Sequence, residues 1–139
     1  MQDFNLPPSA ERTRQHAAGA RRVLIADDNS DAAESLAMLL RLDGHDVEVA
    51  TDGAEALRLF EQKTPDVALL DIGMPQVDGY ELARRIRALS AGSDVLLVAI
   101  TGWAEEEDRQ RSRAAGFNLH LTKPVEPDTV AELLRSRTS

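Results

Sequence analysis

A chain of 139 residues with 42% hydrophobic content can bury one domain, and with 4% aromatic residues the core must be aliphatic. A net charge of −8 argues against a general nucleic-acid binder, because phosphate contacts need a basic face. The absence of cysteine excludes disulfides and thiolate metal sites, no apolar stretch approaches membrane-spanning length, and the first residues lack a secretory apolar core. The chain therefore reads as cytoplasmic, or as the cytoplasmic part of something larger.

Residues 1–20 have no sustained period and read as a tail or linker, with Ala10–Ala20 a weak polar helix; the folded domain is expected over 21–137. Arg21-Arg22 leads into a first strand, Val23-Leu24-Ile25-Ala26, which ends at Asp27-Asp28. Ser30 is the expected N-cap of a helix whose apolar positions are Ala33, Leu36, Ala37, Leu39 and Leu40, and Gly44 stops it. Val47–Ala50 is a short strand with polar interruptions, as at a sheet edge. Asp52-Gly53 turns into a helix over Ala54–Gln62 with Ala56, Leu57 and Phe60 inward. Thr64-Pro65-Asp66 breaks it before a third strand, Val67–Leu70, which ends at Asp71.

A loop from Gly73 to Gly79 leads into a helix carrying Tyr80, Leu82, Ala83, Ile86 and Leu89. Val95–Ile100 is the most apolar strand and is expected in the sheet interior, closed by Thr101. A mostly polar helix over Glu105–Ala115 stops at Gly116. Leu119-His120-Leu121 is the fifth strand, with Lys123-Pro124 after it, and Asp128 is the expected cap of a final helix through Val130, Leu133 and Leu134.

Five strand–helix units joined by right-handed crossovers predict an α/β doubly wound parallel sheet of order 2-1-3-4-5, with helices on both faces. Parallel strands buried on both faces read as continuous apolar runs, as these do. Ligands of such sheets bind at the carboxyl ends of the strands, and here the switch point falls between the first and third. Asp27, Asp28, Asp71, Thr101 and Lys123 should therefore share one crevice. Three carboxylates, a hydroxyl and an ammonium suit Mg²⁺ plus a phosphoryl group. Without a cation the carboxylates would repel one another and an incoming phosphate. Mg²⁺ prefers octahedral oxygen ligation and uses few carboxylates.

The segments Ile25-Ala26-Asp27-Asp28-Asn29, Leu70 to Gly79, Ile100-Thr101-Gly102 and Leu121-Thr122-Lys123-Pro124 occur in order and at family spacing. Together they resemble the receiver domain of two-component response regulators, over about Arg21 to Arg135. The resemblance implies a flavodoxin-like fold, with Asp71 as the phosphoacceptor and Lys123 as the cation meeting it. It implies Asp28 and Asp71 as direct Mg²⁺ ligands, Asp27 acting through water, and Gly73 contributing a backbone carbonyl. It further implies a cis Lys123–Pro124 bond and a switch at Thr101.

His120 stands where the family usually has a rotating Tyr or Phe. An imidazole that swings and a strand histidine without a role are the two readings of that departure. Trp103 and Gly73 occupy positions that tune water access to the acyl phosphate in the family. Expected partners are a histidine kinase or a histidine phosphotransfer protein, with Ala32 the best probe of the docking face, and neither nucleic acid nor membrane. The downstream target is unknown. The family is a signalling phosphoacceptor rather than a metabolic enzyme. The alternative is a Mg²⁺-dependent phosphohydrolase of haloacid-dehalogenase type. It is disfavoured because its nucleophile is normally followed two residues on by a second Asp, where this chain has Gly73, and because its acidic pair follows the lysine. The Leu121–Pro127 ending and the proline-containing first residues look slightly more like the C-terminal receiver of a hybrid sensor kinase than a stand-alone receiver, which Met1 also permits.

Overall fold

In a computed structural model the described residues are 21–74, 77–89, 94–102 and 106–135. Among these residues ten elements alternate: β1 (Arg22–Ala26), α1 (Ser30–Leu42), β2 (Asp46–Ala50), α2 (Gly53–Gln62), β3 (Val67–Asp71), α3 (Gly79–Ala88), β4 (Leu96–Thr101), α4 (Glu106–Ala115), β5 (Leu119–Thr122) and α5 (Pro127–Arg135). The five strands are parallel in the order β2-β1-β3-β4-β5, as expected. The polar-interrupted strand lies at an edge and β3 and β4, buried at every residue, lie inside.

Side chains alternate across a strand, so each strand feeds two cores. Val23 and Ile25 of β1, Leu69 of β3 and Val98 and Ile100 of β4 pack under Ala33, Ala37 and Leu40 of α1 and Val130 and Leu134 of α5. Leu24, Leu70, Leu97 and Ala99 face the other way, against Phe60 of α2, Leu82 and Ile86 of α3 and Ala115 of α4. Helices thus cover both faces, and every strand delivers its carboxyl end to the same edge of the sheet.

Local chemistry fixes the helix starts. Asn29, not Ser30, is the N-cap of α1: its side-chain oxygen accepts from the Ala32 amide at 3.1 Å, and Ser30 is already helical. Asp52 caps α2 by accepting from the Glu55 amide at 2.7 Å, while the Glu55 carboxylate accepts from the amide of Thr51, the residue before the cap, at 2.9 Å. Asp78 caps α3 through the Glu81 amide. At α5 the expectation shifts by two residues: the helix starts at Pro127, whose fixed φ suits the first helical position, and Asp128 lies within the first turn. Gly44 and Gly116 end α1 and α4 at φ values of 96° and 111°, conformations that a side chain resists.

One of the expected apolar positions of α1 falls outside the core. Leu40 is buried, but Leu39 is 45% exposed, because it stands one residue round the helix from the buried row Ala33, Ala37 and Leu40. Leu36 and Leu57 are only partly buried and pack on the margins of the two cores.

A side chain missed from the sequence joins α3 to the far strands. The Arg87 guanidinium donates to the Gly116 carbonyl at 2.9 and 2.8 Å, to the Val95 carbonyl at 2.8 Å and to Asn118 Oδ1 at 2.7 Å. The same Asn118 oxygen accepts from the Leu97 amide at 2.9 Å. Burial lowers the Arg87 pKa from its ordinary value, but guanidinium remains charged at any physiological pH.

Candidate functional site

At the carboxyl edge β1 runs out into Asp27 and Asp28, β3 ends on Asp71 and β4 on Thr101, and Lys123 follows β5. Carboxylate oxygens of Asp27, Asp28 and Asp71 all lie within 4.8 Å of one another. Asp27 and Asp71 are buried and Asp28 is exposed. A cavity of about 400 Å³ is lined by Asp28, Asp71, Ile72, Gly73, Thr101, Gly102 and Lys123.

The backbone holds these groups in place. The Asp27 amide donates to the Ala50 carbonyl and the Asp27 carboxylate accepts from the Asn29 amide at 2.9 Å, so the residue is tied to β2 on one side and to the start of α1 on the other. Asp71 Oδ1 accepts from the Gly73 amide at 3.0 Å, and Oδ2 lies 3.2 Å from Lys123 Nζ. The Lys123 amide donates to the Thr101 carbonyl at 2.7 Å, which joins the lysine segment to the end of β4. The Lys123–Pro124 bond is cis, as expected.

Charge is unbalanced here. Among the described residues one ammonium, that of Lys123 at 3.2 Å from Asp71, faces three clustered carboxylates. Burial raises the Asp27 pKa above its ordinary value, the Asn29 amide opposes that shift, and the nearby Asp71 carboxylate adds to it. A compact trio of hard oxygen donors with excess negative charge fits a divalent cation such as Mg²⁺. Asp27, Asp28 and Asp71 are the side chains that would hold it.

Not every expected residue converges. His120 is half-buried on β5 opposite Ala99 and lines a separate cavity of about 320 Å³ with Arg109, Ser112 and Phe117. Ala32 is exposed on α1 and lines a third, largely apolar cavity of about 460 Å³ with Ile25, Leu36, Ile100 and Val125. That cavity also touches Asp27 and Lys123, so it adjoins the acidic crevice. Trp103 lies outside the described residues.

Two residues of the motif segments have supporting roles that the sequence did not assign them. Asn29 serves both as helix cap and, through its amide, as a clamp on Asp27. Gly79 packs against the backbone of Asp71 and Ile72, and its amide donates to the Ile72 carbonyl at 3.1 Å. The Asn after Asp-Asp and the Gly after the capping Asp78 were the available signals.

Comparison with known proteins places this architecture. The family model of the response regulator receiver domain matches residues 23–135. The chain belongs to the response regulator receiver domain family. This receiver domain is 42% identical over 113 residues to an uncharacterized 14.6 kDa protein of Leptolyngbya boryana, covering 81% of this chain and 84% of that one. It is 41% identical over 122 residues to the transcriptional regulatory protein PrrA of Mycobacterium tuberculosis, covering 85% of this chain and 52% of that protein, so it spans about half the regulator's length. Among solved structures, the chemotaxis protein CheY4 of Vibrio cholerae superposes with a TM-score of 0.80 at 29% identity, covering 84% of this chain and 98% of that one. The receiver domain of the sensor histidine kinase PA1611 of Pseudomonas aeruginosa, with a magnesium ion in its active-site cleft, superposes with a TM-score of 0.76 at 32% identity, covering 84% and 96%. Among the described residues, no helix is long and apolar enough to cross a membrane.

Proposed function

We propose that this receiver domain takes a phosphoryl group onto Asp71 from the phosphohistidine of a histidine kinase or phosphotransfer protein, in a Mg²⁺-dependent reaction in the cytoplasm. The observation that carries the reading is the pairing of Asp71 with Lys123 at 3.2 Å inside a trio of carboxylates at the strand ends. Residues 21–137 form the receiver and residues 1–20 a tail or linker.

A carboxylate can act as a nucleophile and form a covalent acyl phosphate. An Asp71 oxygen attacks phosphorus in line; the new O–P bond forms as the P–N bond to the donor imidazole breaks. The Gly73 amide keeps the other carboxylate oxygen oriented. Lys123, already beside Oδ2, meets an equatorial phosphoryl oxygen as Asp71 loses its charge. Asp28 and Asp71, with Asp27 through water and the Gly73 carbonyl, would hold Mg²⁺, which would supply neutralisation of charge on the transferring group. The Thr101 hydroxyl then bonds a phosphoryl oxygen. Because Thr101 closes β4, the strand that precedes α4 in the chain, that bond biases the position of α4, a population shift between two states. His120, away from the crevice on β5, is a second candidate for the switch.

The donor docks on the exposed side of α1 around Ala32, since the apolar cavity there adjoins both Asp27 and Lys123. The test is labelling by acetyl phosphate with and without EDTA, in the wild-type chain and in Asp71→Asn. Labelling confined to the wild type with Mg²⁺ supports the reading; equal labelling of the variant overturns it.

A further inference from the structure

The solvent face of α1 carries aliphatic side chains that the fold leaves uncovered. Leu42 is 78% exposed, Met38 60% and Leu39 45%. Met38 and Leu42 stand four residues apart and Leu39 beside them, and half-buried Leu36 and exposed Ala32 continue the stripe toward the acidic crevice. Single exposed leucines are ordinary; a contiguous stripe along one helix marks a surface that something covers. Asp31, Glu34 and Asp43 are exposed along the rim, with Arg41 3.6 Å from Glu34, so that Asp31 and Asp43 are its acidic points.

The chain itself brings a candidate to this place. The Arg21 amide donates to His45 Nδ1 at 2.8 Å, its carbonyl accepts from the Asp46 amide at 2.9 Å, and the His45 amide donates to the Leu40 carbonyl. The segment 1–20 therefore joins the domain within a turn of the carboxyl end of α1. Fifteen residues separate Leu6 from the domain, counting Arg21, a reach of up to roughly 50 Å, or about 30 Å if residues 10–20 are helical. The 13 residues of α1 span about 20 Å. The segment offers Phe4 and Leu6 to an apolar stripe, and Arg12 and Arg14 to an acidic rim.

We infer that residues 4–14 dock on the α1 stripe of their own chain, with Phe4 and Leu6 on Met38, Leu39 and Leu42 or beyond them toward Leu36, and with Arg12 and Arg14 facing Asp31 and Asp43. The docked segment overlies the Ala32 face. If that face receives the phosphodonor, a consequence that rests on the function proposed above, segment and donor compete for it.

The chain has no cysteine, so Ser9→Cys gives a unique attachment point for a nitroxide. Paramagnetic broadening of the Met38 and Leu42 methyl signals is read in the full chain, and in a mixture of spin-labelled and methyl-labelled chains that reports only contacts between molecules. Docking predicts loss of those signals in the singly labelled chain, no loss in the mixture, and recovery when Phe4→Ser and Leu6→Ser are added. Unchanged methyl signals in the full chain overturn the inference. Loss in the mixture also overturns it, assigning the stripe to a second copy. Failure of Asp71 to accept a phosphoryl group leaves this readout untouched, so the two claims fail separately.

Discussion

Gly79 packs so closely on Asp71 that a methyl group in place of its hydrogen would meet the Asp71 carbonyl oxygen at 2.8 Å and the Ile72 Cα at 2.7 Å. Both obstacles are backbone, so neither can turn aside. The start of α3 is thereby pressed onto the strand end that carries Asp71. Gly79→Ala must push the two apart, at a cost of about 1–3 kcal/mol, and should also lower the Asp71 labelling rate. Urea unfolding of the variant measures the first effect; a stability within experimental error of wild type would contradict the packing.

The carboxylate trio makes a prediction in the absence of metal. The Asp27 pKa is raised in the folded chain, first by burial. Between the ordinary carboxylate value and the raised one, the folded state binds more protons than the unfolded state, so stability falls as pH rises through that window. Asp27→Asn removes this loss. In EDTA the variant should melt several degrees higher than wild type at neutral pH, with the difference shrinking toward about pH 4. A lower melting temperature for Asp27→Asn at neutral pH would contradict the charge imbalance.

Mg²⁺ should reverse the order. A ligand of the folded state alone stabilises it by mass action, so Mg²⁺ should raise the wild-type melting temperature. Asp28→Ala removes a direct ligand and should weaken Mg²⁺ binding at least tenfold by calorimetry. Unchanged affinity would rule out the site as drawn.

Arg87 provides a stability test far from the crevice. Its guanidinium serves two carbonyls and the Asn118 side chain. Arg87→Ala leaves those acceptors short of donors and should cost about 2–4 kcal/mol, read as a lower urea midpoint, while Mg²⁺ affinity stays unchanged at temperatures where the variant is folded.

For the docking face, Ala32→Arg adds bulk and charge where a donor protein would lie, without touching Asp71. Transfer from a phosphorylated donor protein should slow several-fold, while acetyl phosphate labels Asp71 at the wild-type rate. Equal slowing of both reactions would place the damage in the crevice instead.

Strand order and crevice were legible because both follow from short-range patterns. Val23–Ala26, Val67–Leu70 and Val95–Ile100 are unbroken apolar runs, and their ends fix where Asp27, Asp28, Asp71 and Thr101 lie. What was not legible depends on a neighbour's backbone. Ser30 and Asn29 are equally good caps in sequence; only the turn after β1 selects Asn29. Leu39 and Leu40 are both apolar, and one residue of helical rotation decides that Leu40 is buried and Leu39 exposed. Arg87 acts on atoms distant in the chain, Gly116 and Asn118, so no local pattern announces it.

The central claim concerns one carboxylate and one bond. After labelling with acetyl phosphate and Mg²⁺, borohydride reduces an acyl phosphate to the alcohol, so the modified aspartate becomes homoserine in a peptide mass map. The account predicts homoserine at position 71 and unmodified aspartate at 27 and 28. Reduction at 27 or 28, or no reduction at 71 in a labelled chain, would contradict it.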